Sequence, residues 1–313
     1  MNNRTIARLL QTPAVLLLLV WMLVPLGLTL YFSFLRYVLN SLRKPEWTVP
    51  QLSNWRGFGN YEYVLYKSKD FWFAIQNSLL IVGSILVITV VLGLAIAILV
   101  NRSFPGRGIV RVLLISPFFV MPAVNAVLWI NMILDPVLGL NGLAIEGLNH
   151  LVAGLKDFPI LGHFFALWPE LEPISFRATQ TSAYAVIMMV AWQWTPFAVL
   201  IFMTSLQSED QQQKEAALLD GASAWAQFVY LTIPHLARPI AIVVMIQSIF
   251  HLSLYAEIEI VSRGNGNKNL PYLIGEFTSN NIGAASATGI FAVILANIVA
   301  IFLLRMVGKN LVD

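Results

Sequence analysis

The 313-residue chain contains no cysteine. A disulfide framework is therefore excluded, and so is any thiolate metal site. Charge is also scarce: Asp, Glu, Lys and Arg make up 11% of the residues, against roughly 25% in soluble domains. So few charges cannot cover a soluble surface. The net charge of +3 is small and spread along the chain, which gives no argument for nucleic acid. The phosphate-binding pattern G-x-x-x-x-G-K-[ST] is missing. The single Gly-Lys pair, Gly308-Lys309, is followed by Asn310, so the chain should not hydrolyse ATP itself. HExxH, CxxC and GxSxG are missing too. Glu257 and Glu259 stand two apart on an expected helix and face apart, poor geometry for an acid–base pair. No metal site, soluble domain, low-complexity tract or internal repeat stands out.

What is present is apolar: 58% of the residues are hydrophobic. A helix needs roughly 20 mainly apolar residues to cross a bilayer. Six runs qualify, at about 10–34, 73–100, 109–134, 184–206, 236–260 and 284–307. Lipid offers no partner to backbone polar groups, so each should be helical. The expected fold is an all-α membrane protein, a single transmembrane domain over residues 1–313 with six transmembrane helices and a cytoplasmic loop at 207–235. The first run follows a positive stretch and is longer than a signal-peptide core of roughly 7–15 residues, so it reads as a retained span. Pro25, Pro117, Pro122 and Pro196 lie inside the runs and predict kinks rather than breaks. The shortest connection, 101–108, carries Arg102 and Arg107 and no acid, with Arg111 just beyond. The positive-inside rule then places it, and both termini, in the cytoplasm. The connections 36–72 and 135–183 should form short helices outside. The connection 262–281, rich in Gly and Asn, should be an irregular loop.

The loop between the fourth and fifth runs is the most informative stretch. It holds Lys214-Glu215-Ala216-Ala217-Leu218-Leu219-Asp220-Gly221 and then Leu231-Thr232-Ile233-Pro234. Residues 209–219 are rich in strong helix formers and hold no breaker, and Gly221 permits a turn with positive φ. A second helical pattern over 222–233 puts Trp225, Phe228, Val229 and Thr232 on one face. Pro234 should stop this helix or redirect it into the fifth run. Small side chains at Ala216 and Ala217 allow close approach to a groove, and Glu215 offers a charge-assisted bond to a basic partner. The competing reading is an amphipathic helix resting on lipid, which prefers Lys and Arg on its polar face. Here Glu209, Asp210, Glu215 and Asp220 outnumber Lys214.

Polar side chains inside spans are expensive and mark pathways or contacts between helices. Gln247, His251, Tyr255 and Glu259 recur at four-residue steps on the fifth run, within about 120° of arc on a helix. Asn125 and Trp129 share a face of the third run, and Gln193 lies between Trp192 and Trp194 on the fourth. Amides beside aromatic rings suit a carbohydrate, which needs hydrogen bonds for its hydroxyls and flat surfaces for its C–H faces. The alternative is hydrogen bonding between helices. An ion-coupled secondary transporter of a small polar solute, working through His251 and Glu259, is the competing function. Such proteins often carry inverted repeats.

Glu215-Ala216-Ala217, Gly221 and Leu231-Thr232-Ile233-Pro234 resemble a pattern of permease subunits in binding-protein-dependent ABC importers of the carbohydrate branch. That pattern is Glu-Ala-Ala, three residues, Gly, nine residues, then Ile-x-Leu-Pro, with Ile and Leu exchanged here. Trp192-Gln193-Trp194-Thr195-Pro196-Phe197 and Asn101-Arg102-Ser103-Phe104-Pro105-Gly106-Arg107 resemble further motifs of sugar permeases. The stretch from Asn269-Leu270-Pro271-Tyr272-Leu273-Ile274 to Ile301-Phe302-Leu303 is most similar to polyol (sorbitol/mannitol) permeases. The resemblance implies a bacterial inner-membrane protein with a two-helix coupling element. In it Glu215 would pair with a basic group of an ATPase and Gly221 would form the turn. It further implies a heterodimer with a second permease subunit, two cytoplasmic ATPase subunits and an extracytoplasmic solute-binding protein. ATP and Mg would sit on those partners, and no cofactor on this chain. One departure is the stretch Val261-Ser262-Arg263-Gly264-Asn265-Gly266, where sugar permeases commonly carry a Leu-Thr-Gly-Gly-Gly-Pro-like loop.

Overall fold

The computed structural model describes residues 3–39, 45–156, 158, 165 and 167–312. The secondary-structure elements among these residues are all helical, with no strand element. Their β pairing is limited to isolated bridges, Leu35 with Trp55 and Val38 with Asn281. Five unbroken helices are long and apolar enough to cross a bilayer: Leu10–Ser33, Asp70–Asn101, Ser182–Gln207, Ala224–His251 and Ile282–Arg305. A sixth candidate is the pair Arg107–Phe119 and Pro122–Ile133, bent by 102°.

That bend corrects the expected kink in the third run. The helix Arg107–Ile115 tightens into a 3-10 turn, Ser116–Phe119. The backbone then extends at Val120 and Met121, with ψ of 130° and 136°. Pro122 excludes the helical region at the residue before it, and it opens the next helix, where its missing N–H costs nothing. Two prolines five positions apart thus make a corner. Beyond it, the backbone N–H groups of Leu138 and Val137 donate to Asp135 Oδ1 at 2.8 and 2.9 Å. These bonds hold the Asp135 carboxyl below the usual carboxylate range.

The fifth run also departs from expectation. Its helix starts at Ala224, inside the loop, and ends at His251 rather than near residue 260. The chain tightens through Ser253 N–H to the Phe250 carbonyl and Leu254 N–H to the His251 carbonyl. It resumes as a separate helix, Ala256–Ser262. Asn269 Nδ2 donates to the Leu254 carbonyl at 2.7 Å, so the opened backbone keeps a partner.

The chain divides into two compact units. The first comprises residues 1–75 and 270–297. Its core gathers Val64, Phe71, Ala74, Leu270, Leu273, Ala284 and Ala287. Buried Asn60 donates to the carbonyls of Ser33 and Leu35 at 2.8 and 2.7 Å, fixing the segment that leaves the first span. The irregular loop expected up to residue 281 instead contains the helix Leu270–Thr278. Burial of Leu270 and Leu273 holds it, and Pro271 lies in its first turn, where a missing N–H is tolerated.

The second unit comprises residues 76–269 and 298–313. Ala97, Ala198, Val199, Phe202, Leu206, Leu236 and Val243 form its core, joining the second, fourth and fifth spans. Small residues let these helices approach. A Cβ added at Gly93 would lie 2.6 Å from the Ala198 Cβ, the close packing that replaces hydrophobic driving force in lipid.

Candidate functional site

The loop after the fourth span is a helix–turn–helix, capped at both ends of its first helix and at the start of its second. Asp210 precedes the helix Gln211–Leu219, and its carboxylate accepts the Gln212 N–H at 2.8 Å. At the other end Ala222 N–H reaches the Ala217 carbonyl at 2.9 Å and Gly221 N–H reaches that of Leu218 at 3.0 Å. This is a Schellman termination, and it requires Gly221 at φ 79°. Ser223 then caps the second helix by accepting the Ala226 N–H at 3.2 Å.

Pro234 neither stops nor redirects that helix. A π-helical turn, Phe228–Thr232, ends two residues before the proline, with Ile233 N–H bonded to the Phe228 carbonyl. Trp225 still packs on Phe228, with ring centroids 5.7 Å apart, but that end of the face is open. Trp225 is 72% exposed, whereas Thr232 is buried.

Two contacts fasten the loop to its unit. Glu209 is buried. Its Oε1 accepts the Thr232 hydroxyl at 2.8 Å, and Lys214 Nζ stands 2.9 Å from its Oε2. His235 Nε2 meets the Ser205 carbonyl at 2.9 Å. What remains outward is the turn itself. Glu215, Ala216, Asp220, Gly221 and Pro234 are exposed and Ala217 half-buried. Leu218, Leu219 and Tyr230 are 62%, 89% and 76% exposed. These capped helices hold two leucines and an aromatic ring in the open, a surface suited to a protein or membrane partner.

Within the spans the predicted polar residues separate into groups. Asn125 Nδ2 donates to Gln193 Oε1 at 2.9 Å and to the Met189 carbonyl at 3.2 Å. Gln193 Nε2 donates in turn to the Val120 carbonyl at the corner of the third span. Gln247 Oε1 accepts the Thr89 hydroxyl at 2.7 Å, and its Nε2 reaches the Trp194 carbonyl at 3.4 Å. All three amides are buried and bond between helices. His251 differs: it is buried, yet neither ring nitrogen has a hydrogen-bond partner. Its ring stands edge-on to Trp194 at 4.9 Å, and Trp194 also packs on Phe250 at 5.0 Å and Phe118 at 5.4 Å. Trp129 packs on Trp192 at 5.8 Å.

Binding-protein-dependent transport system inner membrane components match residues 89–312 as a family. The chain belongs to that family. Among related proteins of the inner-membrane component, the probable ABC transporter permease protein y4oQ of Sinorhizobium fredii is 31% identical over 74% of this chain and 65% of its own length. The inner membrane ABC transporter permease protein YcjO of Escherichia coli is 28% identical over 99% of this chain and 96% of its own. The trehalose transport system permease protein SugA of Mycobacterium tuberculosis is 24% identical over 98% of this chain and 90% of its own. A bacterial ABC transporter involved in the import of the acidic polysaccharide alginate shares the fold. Its TM-score is 0.67 at 19% identity, over 97% of this chain and 95% of that one.

In this inner-membrane component the four-residue stripe of the fifth run is not one surface. Gln247 and His251 lie on the helix that ends at His251, while Tyr255 and Glu259 follow the break. The break removes the constant 100° per residue on which the stripe rested. Glu259 instead lines a surface cavity of about 530 Å³ with Arg177 and Arg263. Sequence reasoning missed Glu209, Thr232 and His235 as fasteners and Thr89 as the partner of Gln247. Each bond joins residues 23 or more positions apart, where no local pattern signals it.

Proposed function

We propose that this inner-membrane component is the permease subunit of an ATP-driven importer. It translocates a polyol or related carbohydrate handed over by an extracytoplasmic solute-binding protein. The observation that carries the reading is the exposed turn around Glu215, Leu218 and Leu219, whose second helix is continuous with the fifth span. The stretch Ala224–His251 runs unbroken, about 40 Å at the rise of an α-helix. A push on the turn therefore reaches Gln247 and His251 without crossing a break in the helix. The Glu209–Thr232 bond ties the first helix of the turn to the same rod.

On this reading the turn docks on one of two cytoplasmic ATPase subunits, which hold ATP and Mg. Glu215 faces a basic group there, Ala216 and Ala217 allow close approach, and Gly221 and Asp220 shape the bend. Nucleotide binding moves the docked turn and biases the bundle between inward-facing and outward-facing states. Residues 1–313 form one transmembrane domain with both termini cytoplasmic, the bent pair counting as the third span, paired with a second permease subunit. Trp194, Phe250 and His251 offer the solute aromatic faces and two free ring nitrogens, and Gln247, Asn125 and Gln193 set the helices that carry them. One relative is named as the permease protein of a trehalose transport system.

The test is reconstitution with the cognate ATPase and solute-binding protein. Sorbitol or mannitol should stimulate ATP hydrolysis, and Glu215→Arg should abolish the stimulation while the binding protein keeps its affinity. Stimulation by disaccharides alone would replace the solute class. Uptake that survives ATP depletion and collapses with the proton gradient would replace the mechanism.

A further inference from the structure

Arg107 and Arg111 stand one turn apart on the helix Arg107–Ile115, so their side chains are neighbours on one face. The Nε of Arg107 and the Nε and Nη2 of Arg111 are buried without a hydrogen-bond partner. No ion pair among the described residues includes either arginine, and the connection 101–108 contains no acid. Both side chains are half-buried, but a guanidinium cannot discharge itself by losing its proton, and nitrogens shielded from water without a partner are costly. The site calls for an anion.

The surroundings decide which anion. Leu114, Pro196 and Val199 lie beside Arg111. The same three residues line a groove of about 500 Å³ with Leu92, Leu113 and Trp192. The volume falls within the roughly 300–1,000 Å³ usual for small-ligand sites. The groove adjoins the corner at Ser116 and Pro117 where the third span turns, and its walls are almost wholly hydrocarbon and indole. Ile109 and Val112, on the same helix, are 69% and 70% exposed, as expected of a helix end that touches lipid. Inorganic phosphate would answer the charge and leave the groove empty. A zwitterionic lipid would fill the groove and bring its own cation to the arginines.

We propose that Arg107 and Arg111, with the adjoining groove, form a binding site for one anionic phospholipid. Its phosphate lies against the two guanidinium groups and one acyl chain lies along Leu92, Leu113 and Trp192. The lipid then braces the corner of the third span against the fourth.

The test uses the purified full chain in detergent, with phosphatidylglycerol and phosphatidylcholine of identical acyl chains as probes, read by native mass spectrometry. One phosphatidylglycerol should be retained under conditions that strip phosphatidylcholine. Arg111→Gln should weaken that retention at least roughly five-fold, the value of one cation at an anionic lipid surface. Arg111→Lys, which keeps the charge, should restore most of it and so separates charge from folding. Leu92→Trp, at a position 47% exposed, fills the groove with both arginines intact and should also displace the lipid. Equal retention of the two lipids overturns the proposal, as does unchanged retention in Arg111→Gln. Displacement by inorganic phosphate alone overturns it in favour of a phosphate site. Loss of the lipid on assembly with the second permease subunit overturns it in favour of a protein interface.

Discussion

Removing Glu209 should loosen the exposed turn around Gly221 and leave the rest of the protein in place. The carboxylate is buried and holds two partners, the Thr232 hydroxyl at 2.8 Å and Lys214 Nζ at 2.9 Å. A hydrogen bond to a charged group contributes about 1.5–3 kcal/mol. The Lys214 side chain is 29% exposed and can turn to water, so its ion pair adds under about 1 kcal/mol. Deleting the carboxylate also relieves the cost of burying it, which trims the sum to about 2 kcal/mol, or roughly 30-fold in a local opening equilibrium. Hydrogen exchange in the purified protein should show Glu209→Ala speeding the amides of Gln211–Leu219 by about that factor. Exchange in the distant helix Leu140–Lys156 should not change. Thr232→Val should give a smaller effect, and the double variant should cost less than the two singles added. Unchanged or slower exchange in Glu209→Ala would mean that desolvation cancels the bonds and that the turn is fastened elsewhere.

Gly221→Val should strain the turn by about 1–2 kcal/mol through φ alone, because a Cβ there meets nothing within 4 Å; transport should fall while expression and span content hold, and Gly221→Asn, which tolerates that φ, should retain most uptake. Gly93→Leu should separate the second and fourth spans, since even a Cβ would crowd that of Ala198; an overpacking cost of about 1–3 kcal/mol should appear as a lower melting temperature in detergent. Thr89→Val removes the donor to buried Gln247 and should cost about 1 kcal/mol, whereas Thr89→Val combined with Gln247→Leu should recover part of the loss; equal melting temperatures for all these variants would show that the pair is idle.

The sequence disclosed the spans because hydropathy over some 20 residues is a property of the chain alone. It disclosed the helix–turn–helix through Gly221, which acts on backbone groups within a few positions; the caps at Asp210 and Ser223 are equally local but went unread. The corner of the third span was half legible. Pro117 and Pro122 marked it, but whether prolines bend or break a helix depends on who receives the freed carbonyls. Here Val120 finds Gln193, 73 positions away. The end of the fifth span at His251 had no local signal at all. No proline or glycine lies between Leu252 and Tyr255, and the opened carbonyl of Leu254 is held by Asn269. The polar stripe failed with it, because a periodic argument holds only while the helix continues. Glu209 counted as one acid among several on a polar face, and only the fold makes it a fastener.

The most direct test of the account uses the absence of cysteine from the chain. Ala216→Cys places one thiol at the exposed turn, and a short photoactivatable crosslinker on that thiol can be triggered in membranes that hold the assembled transporter. A covalent adduct with an ATPase subunit, lost in Glu215→Arg, is the predicted result. Adducts with lipid alone, while the transporter still drives uptake, would contradict it.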